Sequence, residues 1–257
     1  MRLWEASRTF QGVVREMVGA SAHLASIASV VAENGDELKP YLALDLGRRN
    51  YPDSLVFQNL VVEHRKRKEI PDCLIFVNYS HLITLGRAGN IQHLLASRPR
   101  LEEYGIGFFV TDRGGDITYH GPGQFIVYPV LDLKEWHRDI GRYLRSLEHC
   151  VIETLADFGV LGQSIPGLTG VWVGDKKIAA LGIRTSQWVT SHGLALNVHP
   201  DLTHFDLIVP CGLKSKGVTS MLEILGTRAD MSEIKTRFCV HFSKIFERNL
   251  TLWSSLN

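Results

Sequence analysis

Cys211 and Lys177 are the residues of this 257-residue chain best placed by type for covalent chemistry. Cys211 lies between Pro210 and Gly212, directly after the apolar pair Ile208-Val209 and outside any periodic pattern. The other cysteines, Cys73, Cys150 and Cys239, fall within apolar strand or helix patterns and read as small buried hydrophobes. A thiol in a turn suits nucleophilic work, but at its ordinary pKa of about 8.5 little of it is thiolate at neutral pH. A nearby ammonium raises that share. Lys177 begins the stretch KIAALGIR, whose small residues Ala179, Ala180 and Gly182 leave room for a linear ligand or another chain against the backbone. A lysine at a strand start is ordinarily a solvated surface residue, and spacing alone does not bring Lys177 to Cys211.

The third chemistry-bearing segment is RGGDITYHGPGQ, residues 113–124, with four glycines and one proline among twelve residues. Such density marks backbone that turns tightly or is approached closely. Arg113, Asp116, Thr118, Tyr119, His120 and Gln124 add hydrogen-bonding groups, so the segment is expected to form a ligand-contacting wall rather than a plain loop. His192, His199 and His204 lie close in sequence, but their spacing fits no strong metal motif and no metal site is expected.

The elements that position these residues follow from hydrophobic periodicity. Strands are expected at 41–46, 73–77, 106–111 and 125–133, and a helix from Pro52 to about Lys68. A second helix spans 139–158, its apolar face formed by Ile140, Leu144, Leu147, Val151 and Leu155. Residues 171–184 read as a hairpin turning at Gly174-Asp175, followed by a strand at 189–198 broken by Gly193. A last helix runs over 231–246 with Asp230 as its cap. Strands and helices do not alternate regularly, which predicts an α+β domain, a mixed β-sheet with packed helices.

Composition bounds the function. The formal net charge is +1, from 28 Lys+Arg against 27 Asp+Glu, without the basic excess that phosphate contacts demand. No apolar run approaches the roughly 20 residues of a membrane span. Four cysteines without CxxC pairing read as free thiols in a reducing compartment, the cytoplasm. Residues 1–40 read as a poorly ordered extension, and 41–257 as the catalytic domain. Arg2, Arg8 and Arg15 give the extension a transit-peptide flavour, and with it an organelle matrix as the alternative location, but Glu5 and Glu16 oppose that reading.

Taken in order, TLGRAGN at 84–90, RGGDITYHGPGQ at 113–124, KIAALGIR at 177–184, SHGLALNV at 191–198, PCG at 210–212 and GVTS at 217–220 resemble the lipoyl(octanoyl) transferase family over residues 41–247. The chain departs from the family pattern twice. Asn78-Tyr79-Ser80-His81 stands where members often have Glu-His-Pro-Pro, and Asp116 where many have glutamine.

The resemblance implies the fold shared by biotin and lipoate ligases. It implies transfer of octanoate from octanoyl-acyl carrier protein to a lysine of lipoyl domains, those of 2-oxoacid dehydrogenase complexes and of the glycine cleavage H protein. The family nucleophile maps onto Cys211 and its partner lysine onto Lys177. The substrate-contacting stretches map onto Arg113, Gly114, Gly115, Asp116, Ile117, Thr118, Tyr119 and His120, onto Ala180, Leu181 and Gly182, and onto Gly193, Leu194 and Ala195. No cofactor is required, because the donor is already a thioester. Competing readings are an ATP-dependent lipoate or biotin ligase, a papain-like thiol hydrolase using His120 or His192 as base, and a catalytically silent acyl-carrier-binding module.

Overall fold

The computed structural model describes residues 38–212 and 216–255, without the side chains of Cys211 and of residues 252–255. All but the last few residues of the expected extension 1–40 lie outside that range. The chain opens with β1 (Lys39–Arg48), α1 (Tyr51–Lys66) and β2 (Asp72–Asn78). α1 starts where its sequence dictates: the Asn50 side chain accepts from the Asp53 N–H, Pro52 occupies the first turn, and His64, Arg65 and Lys66 sit in the last.

Three short strands follow, β3 (Leu82–Leu85), β4 (Gly107–Val110) and β5 (Ile117–His120), with α2 (Arg98–Glu103) between β3 and β4. They form a small sheet of order β4-β3-β5. The remaining elements are β6 (Gln124–Val130), α3 (Ile140–Asp157), β7 (Gln163–Ile165), β8 (Leu168–Val173), β9 (Lys176–Ser186), β10 (Val189–Asn197), β11 (Gly217–Val218), α4 (Met221–Leu225), α5 (Met231–Phe246) and β12 (Arg248–Ser255). Among the described residues the main sheet has nine strands, in the order β12-β1-β2-β6-β10-β9-β8-β7, with β11 beside β9. β1 runs parallel to both β2 and β12, whereas β2, β6, β10, β9, β8 and β7 pair antiparallel in turn. This is the expected α+β architecture with a mixed sheet.

The core explains the nearly unbroken apolar runs of β1 and β2. Tyr41, Ala43, Leu74 and Phe76 pack toward α3 and α5, while Leu42, Leu44, Cys73 and Ile75 pack toward α1. Covering both faces removes the polar alternation that a half-exposed sheet would show. Cys73, Cys150 and Cys239 are buried free thiols, as their patterns predict.

Four expectations change in detail. The buried face of α3 is centred on Tyr143, Leu147, Cys150, Val151 and Thr154, and Ile140 at the first turn is 41% exposed. Gly193 does not break β10. A Cβ there would lie 2.2 Å from the Val127 carbonyl oxygen, so glycine is what allows β6 and β10 to close up. Residues 113–124, read as a single wall segment between two strands, themselves contain a strand, since 117–120 are β5 and Gln124 starts β6. β12 was not foreseen; it follows α5 directly, where Glu247 ends the helix in the left-handed region.

Candidate active site

β9, β10 and β5 enclose a cavity of about 210 Å3. Lys177, Ala180, Leu181 and Gly182 of β9 face Gly193, Leu194 and Ala195 of β10, and Arg113, Gly115, Asp116, Ile117, Thr118 and His120 complete the wall. Pockets for drug-sized ligands measure roughly 300–1,000 Å3, so this one suits a slender chain. Gly114 and Tyr119 lie off the wall. Tyr119 points to the opposite side of β5, where its hydroxyl meets His81 Nδ1 at 2.6 Å and its ring stacks on His204 at 5.1 Å.

The glycines serve chain contact as much as ligand contact. The Gly114 N–H donates to the Ile183 carbonyl at 2.8 Å, and a Cβ on Gly182 would come within 2.8 Å of the Gly114 carbonyl oxygen. The room predicted beside Gly182 is thus filled by residues 113–114, while Ala180 borders the open cavity and Ala179 turns into the core. The buried Arg113 guanidinium is held at 2.8 Å by both the carbonyl and the hydroxyl oxygen of Thr84, which gives the TLGRAGN segment its place in the site.

Lys177 is buried rather than solvated, at 8% exposure. Its Nζ donates to the Thr169 carbonyl at 3.0 Å and sits 4.8 Å from the centre of the Trp172 ring. Its backbone is tied to the glycine-rich segment by a relay. The Thr219 N–H donates to the Lys177 carbonyl at 3.0 Å, Asn197 Nδ2 donates to the Thr219 carbonyl at 3.0 Å, and Gln124 Nε2 donates to Asn197 Oδ1 at 2.9 Å. Gln124 Oε1 in turn lies 3.3 Å from His120 Nδ1. Burial, reinforced by the Arg113 charge, pushes the His120 imidazole down to about 3.

Cys211 lies in the 3₁₀ turn Pro210–Gly212. That turn is anchored by a short 3₁₀ helix, Leu202–Leu207, whose Phe205 and Leu207 pack with Ile117 and Tyr119 of β5. The Val209 N–H donates to the His93 carbonyl at 2.8 Å. His93 Nδ1 also bonds Asp116, whose other carboxylate oxygen accepts from the N–H groups of Asn90 at 3.0 Å and Ile117 at 2.7 Å. Gly212, at φ 70°, sits against this pair: a Cβ there would be 2.8 Å from Asp116 Oδ2 and 3.0 Å from His93 Cε1. Asp116, a wall residue of the Lys177 cavity, is therefore in contact with the residue that follows Cys211.

The part of the cavity away from Lys177 is more polar. Tyr51, Tyr128 and His192 line it. His192 Nε2 lies 2.8 Å from Asp112 Oδ1, and the His192 backbone N–H donates to Gln58 Oε1 at 2.5 Å while the residue holds φ at 55°. Burial lowers the His192 pKa against the opposing pull of Asp112. Among the described residues no group of three or more His, Cys, Asp or Glu is arranged to hold a metal.

The lipoyl protein ligase A/B catalytic-domain family model matches residues 50–243, from the start of α1 to within the last turn of α5, leaving out β1 and β12. The chain belongs to this family. Within the lipoyl protein ligase A/B family its similarity runs strongly to octanoyltransferases. It is 51% identical to the octanoyltransferase of Solibacter usitatus over 82% of this chain and 95% of that one. It is 42% identical to the octanoyltransferase of Flavobacterium psychrophilum over 79% and 95%. In fold it resembles a lipoate-protein ligase A solved with ATP, with a TM-score of 0.66 at 14% identity over 86% of this chain and 90% of the other. The bipartite lipoate protein ligase of Thermoplasma acidophilum gives 0.66 at 16% identity over 86% and 88%.

Several lining residues escaped the motif reading. Tyr51 comes from α1, Tyr128 from β6, and Gly167, Leu168 and Thr169 from the start of β8. Each is an ordinary residue of its element in the sequence, and only the register of distant strands turns it to the cavity. His93 had a weak signal in its closeness to TLGRAGN.

Proposed function

We propose that the chain is an octanoyltransferase of protein lipoylation, carrying the acyl group as a thioester on Cys211. The donor is octanoyl-acyl carrier protein, and the acceptors are lysines of lipoyl domains, those of 2-oxoacid dehydrogenase complexes and of the glycine cleavage H protein. The observation that carries the reading is that Asp116 belongs to the wall of the Lys177 cavity and also touches Gly212, next to Cys211.

The Cys211 thiolate attacks the donor carbonyl carbon. A C–S bond forms to Cys211, the C–S bond to the carrier breaks, and the departing carrier thiolate takes a proton from the Lys177 ammonium, which leaves Lys177 as a neutral amine. The acceptor lysine amine then attacks the Cys211 thioester, gives its surplus proton to Lys177, and displaces the Cys211 thiolate. Thioester exchange is close to isoenergetic and amide formation is downhill, so no ATP is consumed. Backbone N–H groups around Cys211 and Lys177 stabilise the oxyanion, an effect worth about 3 kcal/mol per donor in such sites. Arg113, Gly115, Asp116, Ile117, Thr118 and His120, with Ala180–Gly182 and Gly193–Ala195, form the acyl-binding wall. Its slender volume and its Ala180, Leu181, Leu194 and Ala195 surface support a single alkyl chain.

A hydrolase reading with His192 as base is not favoured. His192 pairs with Ile183, six residues along β9 from Lys177, or roughly 20 Å at the usual rise per residue. Catalysis is assigned to residues 41–257, with 1–40 as an extension. A cytoplasmic setting is supported by the three buried free thiols. No helix among the described residues is long and apolar enough to cross a membrane.

The test is intact-mass measurement after mixing with octanoyl-acyl carrier protein without ATP. One octanoyl adduct on the wild type, absent from Cys211→Ala and discharged by a lipoyl domain, is expected. An adduct that survives in Cys211→Ala, or one that forms only with ATP, would refute the assignment.

A further inference from the structure

The sequence of α3 hides a carboxylate in the core. Glu148 is 1% exposed, on the helix face that packs against β8. Its Oε1 accepts from the Gly170 N–H at 2.8 Å, and its Oε2 meets Arg145 Nη1 at 2.5 Å. A buried carboxylate is costly unless paired, so a helix that could have carried leucine here retains glutamate for what it holds.

What it holds is the peptide on which Lys177 rests. Thr169 and Gly170 share one planar peptide unit, so fixing the Gly170 N–H also fixes the Thr169 carbonyl. That carbonyl receives the Lys177 Nζ hydrogen bond at 3.0 Å. Gly170 itself takes φ 128°, and a Cβ on it would lie 2.8 Å from the Ala179 carbonyl oxygen and 3.1 Å from Lys177 Cε. The lysine stem thus crosses directly over the glycine that Glu148 grips, and Trp172 flanks the ammonium.

We propose that Glu148 is a positioning residue for Lys177: it locks the Thr169–Gly170 peptide that orients the ammonium and sets a negative charge behind it. The inference rests on the assignment of Lys177 to catalysis. The charged groups facing Glu148 are Arg145 from its own helix and Lys177 from β9. Burial raises the Glu148 pKa, and the Gly170 N–H, Arg145 and Lys177 each act to lower it.

The experiment compares the full chain with Glu148→Ala, Glu148→Gln, Lys177→Ala and the double variant Glu148→Ala/Lys177→Ala. Read-outs are single-turnover transfer, KM for octanoyl-acyl carrier protein, and the pH profile of Cys211 alkylation. Misplacing a catalytic group by about 1 Å can cost roughly 100-fold, so Glu148→Ala should lower kcat at least about tenfold with KM nearly unchanged. Glutamine keeps the acceptor for Gly170 and should restore most of that loss. In the Lys177→Ala background, Glu148→Ala should cost nothing further. An equal loss in both backgrounds, or wild-type kcat in Glu148→Ala, would overturn the proposal. Should Glu148→Ala fail to fold, the coupling is read by carboxyl NMR in the wild type and Lys177→Ala: the Glu148 titration should move to higher pH once the ammonium is gone, and an unmoved midpoint would overturn it. None of the NMR outcomes depends on acyl transfer, so a wild type that forms no Cys211 adduct would sink the functional assignment separately.

Discussion

Asp116 bears directly on Gly212: a Cβ on that glycine would come within 2.8 Å of the carboxylate oxygen Oδ2. The contact joins the glycine-rich wall to the turn carrying Cys211. Gly212→Ala adds this clash to a backbone at φ 70°, a combination that costs of order 1–3 kcal/mol. Most of that cost is relieved by shifting the turn, so acyl-adduct formation should fall at least about tenfold while the melting temperature changes little. Stopped-flow quench with mass spectrometry checks it, and wild-type adduct rates would count against the turn being held by Asp116.

Lys177 is assigned two duties, favouring the Cys211 thiolate and receiving the acceptor's proton. Lys177→Arg keeps a permanent charge but gives up proton acceptance. Self-acylation should therefore survive better in Lys177→Arg than in Lys177→Ala, while transfer to a lipoyl domain fails in both. Alkylation of Cys211 across pH and single-turnover transfer separate the duties. An unchanged alkylation profile in Lys177→Ala removes the first, and wild-type transfer by Lys177→Arg removes the second.

His120 makes the fold acid-sensitive. Its folded value is pushed down to about 3 by burial and Arg113, whereas an unfolded histidine titrates near about 6.5. Between these values the unfolded chain binds more protons. The stability of the neutral, buried form is therefore full above the unfolded value and is lost as pH falls toward the folded one. At about pH 5 the loss from this residue is about 2 kcal/mol. Urea unfolding of His120→Gln should show a correspondingly smaller drop between about pH 7 and about pH 5. Parallel losses in the two proteins would mean another group carries the effect.

Asp72 anchors two buried arginines: Arg65 Nε approaches Oδ1 and Arg248 Nε approaches Oδ2, each at 2.8 Å. It also accepts from the Asp132 N–H at 3.0 Å. Asp72→Ala takes the carboxylate from both guanidinium groups but leaves Arg65 on Glu135 and Arg248 on main-chain carbonyls, so it should destabilise the protein at the low end of the about 3–5 kcal/mol for breaking a buried pair. Kinetics of the fraction that remains folded should stay near wild type, because none of these groups lines the cavity. A loss under about 1 kcal/mol by denaturant titration would show that water replaces the carboxylate.

Much of this architecture was readable because local signals coincide with it. Asn50-Tyr51-Pro52-Asp53 starts a helix by its own chemistry, and Gly174-Asp175 turns a hairpin. β12 carries no comparable signal, since its partner β1 lies at the far end of the described chain and parallel pairing leaves no turn between them. Ile140 departs from the expected face of α3: it stands at the first residue of the helix and is 41% exposed, while burial begins at Tyr143. In the site, residue types were legible and juxtapositions were not. Val218 beside Lys177 is a matter of strand register across a long connection, and Gly182 opposite Gly193 depends on a tight turn at Gln187-Trp188 that no glycine, asparagine or proline marks. Glu148 reads as an ordinary helical glutamate paired with Arg145 three residues earlier, and only its contact with Gly170, distant in sequence, sets it apart.

The parallel pairing of β1 with β12 matters for synthesis as well as for shape. Lys39 pairs with Arg248 and Asp45 with Ser255, so the first described strand waits for the last before its outer edge is covered. A nascent chain emerging from the ribosome would expose that edge, with Tyr41–Leu46 as an apolar template, until residues 248–255 have been made. Late closure of this kind exposes folding intermediates to aggregation and makes the strand after α5, none of whose residues lines the cavity, a determinant of yield.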